Sequence, residues 1–235
     1  MGNFWRYERF YGGTVNSKSS PSVTTPYHHG NLRNALIAEG RRALEEIGVH
    51  ELSLRYLARK AGVSEAAPSR HFAGKEALLA AIAADGFRDL ATLRYSIASS
   101  DETALSKTYR MMSSYVEFGR RHNGLFELMV GPRIVARDIY PELTEESGKS
   151  FRLFASAVEQ FALEKRWEGD SLTLVTHAAW SMEHGLATLI LSDRMPRSDI
   201  PVSIDQVVEF SISMFLSAVA AGASSLKEIM QQLPA

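Results

Sequence analysis

The stretch Leu52-Ser53-Leu54-Arg55-Tyr56-Leu57-Ala58-Arg59-Lys60-Ala61-Gly62-Val63-Ser64-Glu65-Ala66-Ala67-Pro68-Ser69-Arg70-His71-Phe72 carries the decisive pattern of this chain. Ser53 is placed to cap a first short helix over about 53–61, because its hydroxyl can accept from the free N–H groups of the first turn. Leu54, Leu57, Ala58 and Ala61 recur at three- and four-residue steps and form one buried face. Ala58 is small, so a second helix can cross close to it. Gly62 stands four residues later, where a tight turn favours a residue that tolerates positive φ. Ser64 is then expected to cap a second helix over about 64–72, with Glu65 beside its positive end. Pro68 is expected near that helix's first turn, where a missing N–H costs little. Two short helices joined in this way form a helix-turn-helix, whose second helix enters the major groove of DNA.

Charge agrees locally. Between Ser53 and Glu76, Arg55, Arg59, Lys60, Arg70 and Lys75 face only Glu65 and Glu76, although the whole chain of 235 residues has a formal net charge of -1. A uniformly basic coat is excluded, and any phosphate-binding charge is concentrated here. With 45% hydrophobic residues the chain can build a real core, as one large or two small domains. The absence of cysteine excludes disulfides, thiolate metal sites and cysteine nucleophiles, and fits a cytoplasmic protein. No apolar run reaches the roughly 18 residues of a membrane span. Arg6, Glu8 and Arg9 among aromatics, with no apolar stretch behind them, do not make a secretory signal.

Outward from the motif, Leu32, Ala35, Leu36, Gly40, Ala43, Leu44 and Ile47 form the stripe of an amphipathic helix that begins at Asn31 and ends at Gly48. A fourth helix is expected from about 75 to 96. Beyond Asp101 the segments lengthen, with helices near 102–122, 124–131, 139–166, 170–192 and 203–222, the third of these open to interruption at Ser147-Gly148. No strand alternation is evident, and the fold class is all-α. The expected organisation is a flexible N-terminal arm over 1–25, a three-helix DNA-binding domain over 26–74, a connecting helix over 75–96, and a larger C-terminal helical domain for ligand binding and dimerisation over 97–235.

The segments Tyr27-His28-His29-Gly30-Asn31-Leu32-Arg33, the helix-turn-helix itself, and Arg70-His71-Phe72-Ala73-Gly74-Lys75-Glu76-Ala77-Leu78-Leu79 together resemble the DNA-binding domain of TetR-family regulators. Ala179-Trp180-Ser181-Met182-Glu183-His184-Gly185-Leu186-Ala187 is similar to a Trp-x3-His-Gly signature in the C-terminal domain of one TetR-like subgroup. The resemblance implies an all-helical homodimer that binds double-stranded DNA through its N-terminal domain and a small-molecule effector through its C-terminal one. It favours repression. By the same resemblance Ser53 and Arg55 meet the DNA backbone. Ser64, Glu65, Ala66, Ser69, Arg70 and His71 belong to the recognition helix and its end. Lys75, at the start of the connecting helix, suits a phosphate, and Phe72 is core. The family usually carries Tyr where this chain has Ser69, so a weaker or re-registered backbone contact is expected there.

In the C-terminal part, Met111, Tyr115, Phe118, Phe126, Met129, Phe154, Trp180 and His184 are the candidate lining of an apolar pocket. They suit a lipophilic or aromatic effector. Leu186, Leu189, Phe210 and Met214, on the last two long helices, are the candidate dimer contacts, since such apolar helices need to bury something. His177 and His184 share a helical face, but a metal reading needs a third ligand such as Glu183 or His122, and no metal or other cofactor is expected. There is no phosphate-binding glycine loop, nucleophile elbow or metal cluster, so no residue is assigned to catalysis and the chain is not expected to be an enzyme. The competing reading is a TetR-like ligand-binding or interaction protein whose DNA binding is weakened or lost.

Overall fold

A computed structural model describes residues 32–131, 137–196 and 201–232, and all regular structure among them is helical. The expected arm over 1–25 and the expected cap Asn31 lie outside the described residues. In chain order the helices are α1 (Leu32–Glu51), α2 (Leu54–Lys60), α3 (Lys75–Ala98), α4 (Ala104–Arg121), α5 (Asn123–Val130), α6 (Pro141–Glu164), α7 (Asp170–Leu191), α8 (Ile204–Ala221) and α9 (Ala223–Met230).

Local chemistry sets most boundaries. Regular geometry in α1 breaks at Gly48, whose φ of 72° is open to glycine, and one further turn follows. Ser53 caps α2 by accepting from Tyr56 N–H at 3.1 Å. Gly62 adopts φ 67° in the turn after α2. Thr103 caps α4, Pro141 opens α6 in its first turn, and Ser203 with Gln206 forms a capping box on α8. Helix α6 runs unbroken through Ser147-Gly148, and α9 is an addition to the expected set.

The second helix of the motif departs from expectation. Residues 64–72 form turns and a short 3₁₀ segment, Pro68–Arg70, instead of an α-helix. Capping at Ser64 would make Pro68 the first residue whose N–H has to close an α-helical bond, and proline has none. The Ser64 carbonyl accepts from Ala67 N–H instead, at 2.9 Å, and the Pro68 carbonyl takes both His71 N–H (2.9 Å) and Phe72 N–H (3.0 Å). Ser64 makes no side-chain cap among the described residues. The expectation that Pro68 would be harmless is thus corrected.

Helix α3 is the central strut. It packs along α6 and meets α1 and α5 as well, while α4, α6 and α7 pack on one another and α8 lies on α4 and α7. Its small buried residues Ala80, Ala81, Ala83 and Ala84 allow approach on several sides at once. Phe72 is buried against the head, as expected, and the Arg33 guanidinium lies 5.8 Å from its ring. Helix α8 has the length and mean hydropathy, 1.4, of a membrane span, but Asp205 and Glu209 interrupt its apolar sequence.

The head is joined to the rest by polar contacts. Glu45 of α1 accepts from the N–H groups of Gly124 (3.0 Å) and Leu125 (3.1 Å), the free donors at the start of α5. Arg33 of α1 and Arg88 of α3 both bind Glu142 of α6, at 2.6 and 2.9 Å, and Arg41 of α1 binds Asp85 of α3 at 2.7 Å. Gly124 is required at this joint, because a Cβ there would lie 2.5 Å from the Leu44 carbonyl oxygen of α1. Gly124→Ala is therefore expected to destabilise the fold by about 1–3 kcal/mol, the usual cost of overpacking, although alanine is the better helix former by about 1 kcal/mol. Urea denaturation checks this, and a stabilised variant would refute the close packing of α1 on α5.

Candidate functional site: a basic head and a buried ion pair beneath a cavity

At the head, α2 is fixed by Leu57 and Ala58, both fully buried, and Val63 N–H bonds back to the Ala58 carbonyl at 3.0 Å. This locks the turn after α2 and presents one polar surface. Arg55, Ser64, Glu65, Ala66, Ser69, Arg70, His71 and Lys75 are all exposed, with Ser53 partly so. Arg55 Nε pairs with Glu65 at 3.1 Å, so a candidate backbone contact and a residue of the candidate recognition segment are held on each other. Lys60 Nζ lies 3.8 Å from Glu46, and Lys75 Nζ donates to the His50 carbonyl at 2.7 Å, which ties the start of α3 to the end of α1.

In the C-terminal part a cavity of about 470 Å³ opens between α3, α4, α6 and α7. That volume lies within the range of small-molecule pockets. Three of the candidate lining residues, Tyr115, Trp180 and His184, border it. Tyr115 OH and His184 Nδ1 are 3.1 Å apart, and His184 stacks on Trp180 with ring centroids 5.3 Å apart. Met111, Phe118, Phe126, Met129 and Phe154 are packed into the core and do not border the cavity. His177, at its edge, donates from Nδ1 to the Thr173 carbonyl at 2.7 Å. Neither third ligand of the metal alternative joins the two histidines: Glu183 pairs with Arg94, and His122 packs against Phe118.

The feature missed in the sequence is Arg94 with Glu183. Arg94 borders the cavity, yet its side chain is 3% exposed and that of Glu183 is 0% exposed. Arg94 Nη2 donates to Glu183 Oε1 at 2.7 Å, and Nη1 donates to both the Ser150 carbonyl and Ser150 Oγ at 3.2 Å. The rings of Phe154 and Tyr115 flank the guanidinium at 5.0 and 5.3 Å. Burial pushes the Glu183 carboxyl up to about 8, against the opposing pull of Arg94. A signal existed. Arg94 falls in register with Phe87, Leu90 and Ile97, and Glu183 with Thr176, Ala179 and Ala187, so each charge occupies a buried stripe and needs a mate.

Two family models match the chain. "Bacterial regulatory proteins, tetR family" covers residues 36–82, and "Tetracyclin repressor-like, C-terminal domain" covers residues 109–215. A protein with unknown function from Rhodococcus sp. RHA1 is 33% identical, with 83% of this chain and 98% of that chain covered and a TM-score of 0.70. The chain belongs to the TetR family. Its members' architecture, a DNA-binding N-terminal domain and a ligand-binding C-terminal domain on a transcriptional regulator, is therefore that of this chain too. The fold recurs at lower identity. The TetR family transcriptional regulator PfmR from Thermus thermophilus is 17% identical (77% and 97% covered, TM-score 0.57). The fatty acid degradation regulator FadR from Bacillus halodurans is 11% identical (80% and 96% covered, TM-score 0.62). Comparison with curated proteins gives no match.

In this TetR-family chain the remaining candidate surface is the outer side of α7 and α8. Phe210 is 69% exposed and Met214 56%, Leu189 is also exposed, and Leu186 is half-buried against the core. The inward stripe of α8 is separate and consists of Val208, Ile212, Leu216 and Val219.

The buried pair yields a pH prediction. The folded protein holds a proton on Glu183 that the unfolded chain, with a carboxyl near 4.5, gives up. Its contribution to stability is therefore fully present below about 4.5 and is lost as the pH rises towards about 8. Melting temperatures of the native protein, compared with those of Glu183→Gln, should fall progressively behind across that window. A difference independent of pH would show that Glu183 is ionised throughout.

Proposed function

We propose that this TetR-family regulator is a cytoplasmic homodimeric repressor, released from a palindromic operator by a small lipophilic or aromatic effector, and that it has no catalytic activity. The observation that carries the reading is the continuity of α3: one helix of 24 residues begins at Lys75, in the basic head, and carries Phe87 and Arg94 to the cavity. In this reading residues 26–74 form the DNA-binding unit, 75–96 the connection and 97–235 the effector and dimer unit. A ligand that fits one tilt of α3 better than another shifts the head, with an effect limited to its differential affinity for the two states. The polar joints from Glu45 to α5 and from Arg33 and Arg88 to Glu142 carry the same motion to α1.

At the DNA, Arg55 and Lys75 supply phosphate contacts together with the Ser53 hydroxyl, Glu65, Arg70 and Ala66 face the bases, and Ser64, Ser69 and His71 complete the recognition segment. The short 3₁₀ segment presents fewer base-reading groups than a full helix, so groove shape contributes to specificity. The dimer forms through the outer faces of α7 and α8, around Leu186, Leu189, Phe210 and Met214, and sets two heads about one DNA turn apart. The apolar outer face of α8 is read as this subunit contact, not as a membrane span. The interruption at Pro68, with Ser69 beside it, favours a second reading in which the head binds DNA weakly and the ligand-binding part dominates.

Fluorescence anisotropy with DNA from beside the protein's own gene, against scrambled DNA and across a salt series, separates the two readings. Tight, sequence-preferring, salt-sensitive binding supports the repressor, and equal weak binding to both DNAs supports the second reading. In the same assay Glu65→Gln should free Arg55. Affinity for scrambled DNA should rise several-fold and the log–log salt slope should steepen by about 0.9, the value for one added phosphate contact. An unchanged slope would remove Arg55 from the backbone contacts. Phe210→Glu with Met214→Glu should leave the circular dichroism spectrum intact, convert the dimer to monomer by analytical ultracentrifugation, and abolish operator binding. A dimer that survives both changes would place the interface elsewhere.

A further inference from the structure

The cavity between α3, α4, α6 and α7 has an uneven wall. Phe87, Phe151 and Trp180 supply aromatic surface, whereas Arg94 is its one fixed cation, and no carboxylate borders it among the described residues. Two buried polar atoms of the ion pair behind that wall, Arg94 Nε and Glu183 Oε2, have no hydrogen-bond partner. Such atoms are costly and call for an explanation. Arg94 Nε–H is a donor. Burial holds the Glu183 carboxyl up to about 8, which weakens the negative charge that Arg94 has as its partner. The guanidinium is thus incompletely balanced in surroundings that solvate it poorly, and its open Nε–H asks for an acceptor oxygen.

We propose that the cavity binds a carboxylic acid as its anion, with the carboxylate set at Arg94 and a flat apolar body lying against Phe151 and Trp180. The proposal rests on the reading of the C-terminal domain as an effector site and names the effector's chemical class. Arginine suits this task because its planar donors match a carboxylate, and charge-assisted hydrogen bonds are about twice as strong as neutral ones. The aromatic walls contribute burial and stacking to any planar ligand, charged or not. Preference for an acid over its neutral isostere therefore isolates the contribution of Arg94.

The test is calorimetric titration of the full-length protein at pH 7 with two matched pairs, 2-naphthoate against 2-naphthamide and 4-phenylbutyrate against 4-phenylbutyramide. At least one acid should bind about tenfold or more tightly than its amide. Arg94→Gln alone strands Glu183 and is expected to fold poorly, so the decisive protein is Arg94→Gln with Glu183→Gln, a near-isosteric neutral pair in which the acid preference should fall to within about twofold. Glu183→Gln alone, which keeps the cation and removes residual negative charge, should bind the preferred acid at least as tightly as the native protein. Amides that bind as well as acids, no acid bound at millimolar concentration, or a preference that survives in the double variant would each overturn the proposal. Operator release is measured separately. An acid that binds without releasing DNA leaves the site standing and removes the effector mechanism. Release by an amide alone leaves the effector mechanism standing and removes the acid.

Discussion

The contact between Arg94 and Glu183 is the constraint on which the C-terminal part depends. It fastens α3 to α7 across the interior, and through Ser150 it also holds α6, so three of the helices around the cavity share one guanidinium. Burying a charge costs several kcal/mol, which is why the Glu183 carboxyl is pushed up, and a pair with unfilled hydrogen-bonding valences recovers less of that cost than a saturated one. Such a contact contributes geometry more than stability. It fixes the rotation of α3 and α7 about their axes, because a one-residue slip of either helix would carry a charge into apolar packing.

Helix α3 runs without a break from that point to the DNA-binding head. The head does not rest on α3 alone. Glu45 binds the open end of α5, and Arg33 and Arg88 meet on Glu142, so α1 is tied to the C-terminal part at two places well separated along its length. These pairs are partly exposed and individually weak. Weak, directional contacts suit the two-state joint that the proposed mechanism requires, since a packed apolar seam would resist any change. Gly124 shows that the joint is close, with α5 set against the backbone of α1.

The head itself trades regularity for position. Pro68 prevents an α-helix where the motif pattern asks for one, yet it is buried, and the Pro68 carbonyl collects two N–H groups from the following residues. The segment is compact and held, with Phe72 anchored in the core behind it. The side chains offered to solvent are still those that the motif places there, on a different curve.

The sequence by itself determined the all-helical class, most helix boundaries and the location of the head, because these follow from local physics. Caps at Ser53, Thr103 and Ser203, positive φ at Gly48 and Gly62, and three- and four-residue apolar steps act within one or two turns. It also marked Tyr115, Trp180 and His184, which share the cavity. Tertiary structure alone decided the rest. Whether an aromatic residue lines a cavity or fills the core depends on neighbours distant in sequence, so Met111, Phe126 and Phe154 could not be told from Tyr115 by residue type. Arg94 and Glu183 stood in buried registers on helices 89 residues apart, but only packing makes one the partner of the other. The fate of 64–72 lay between the two: the consequence of Pro68 is local, but it depends on which residue starts the turn, and the folded head sets that.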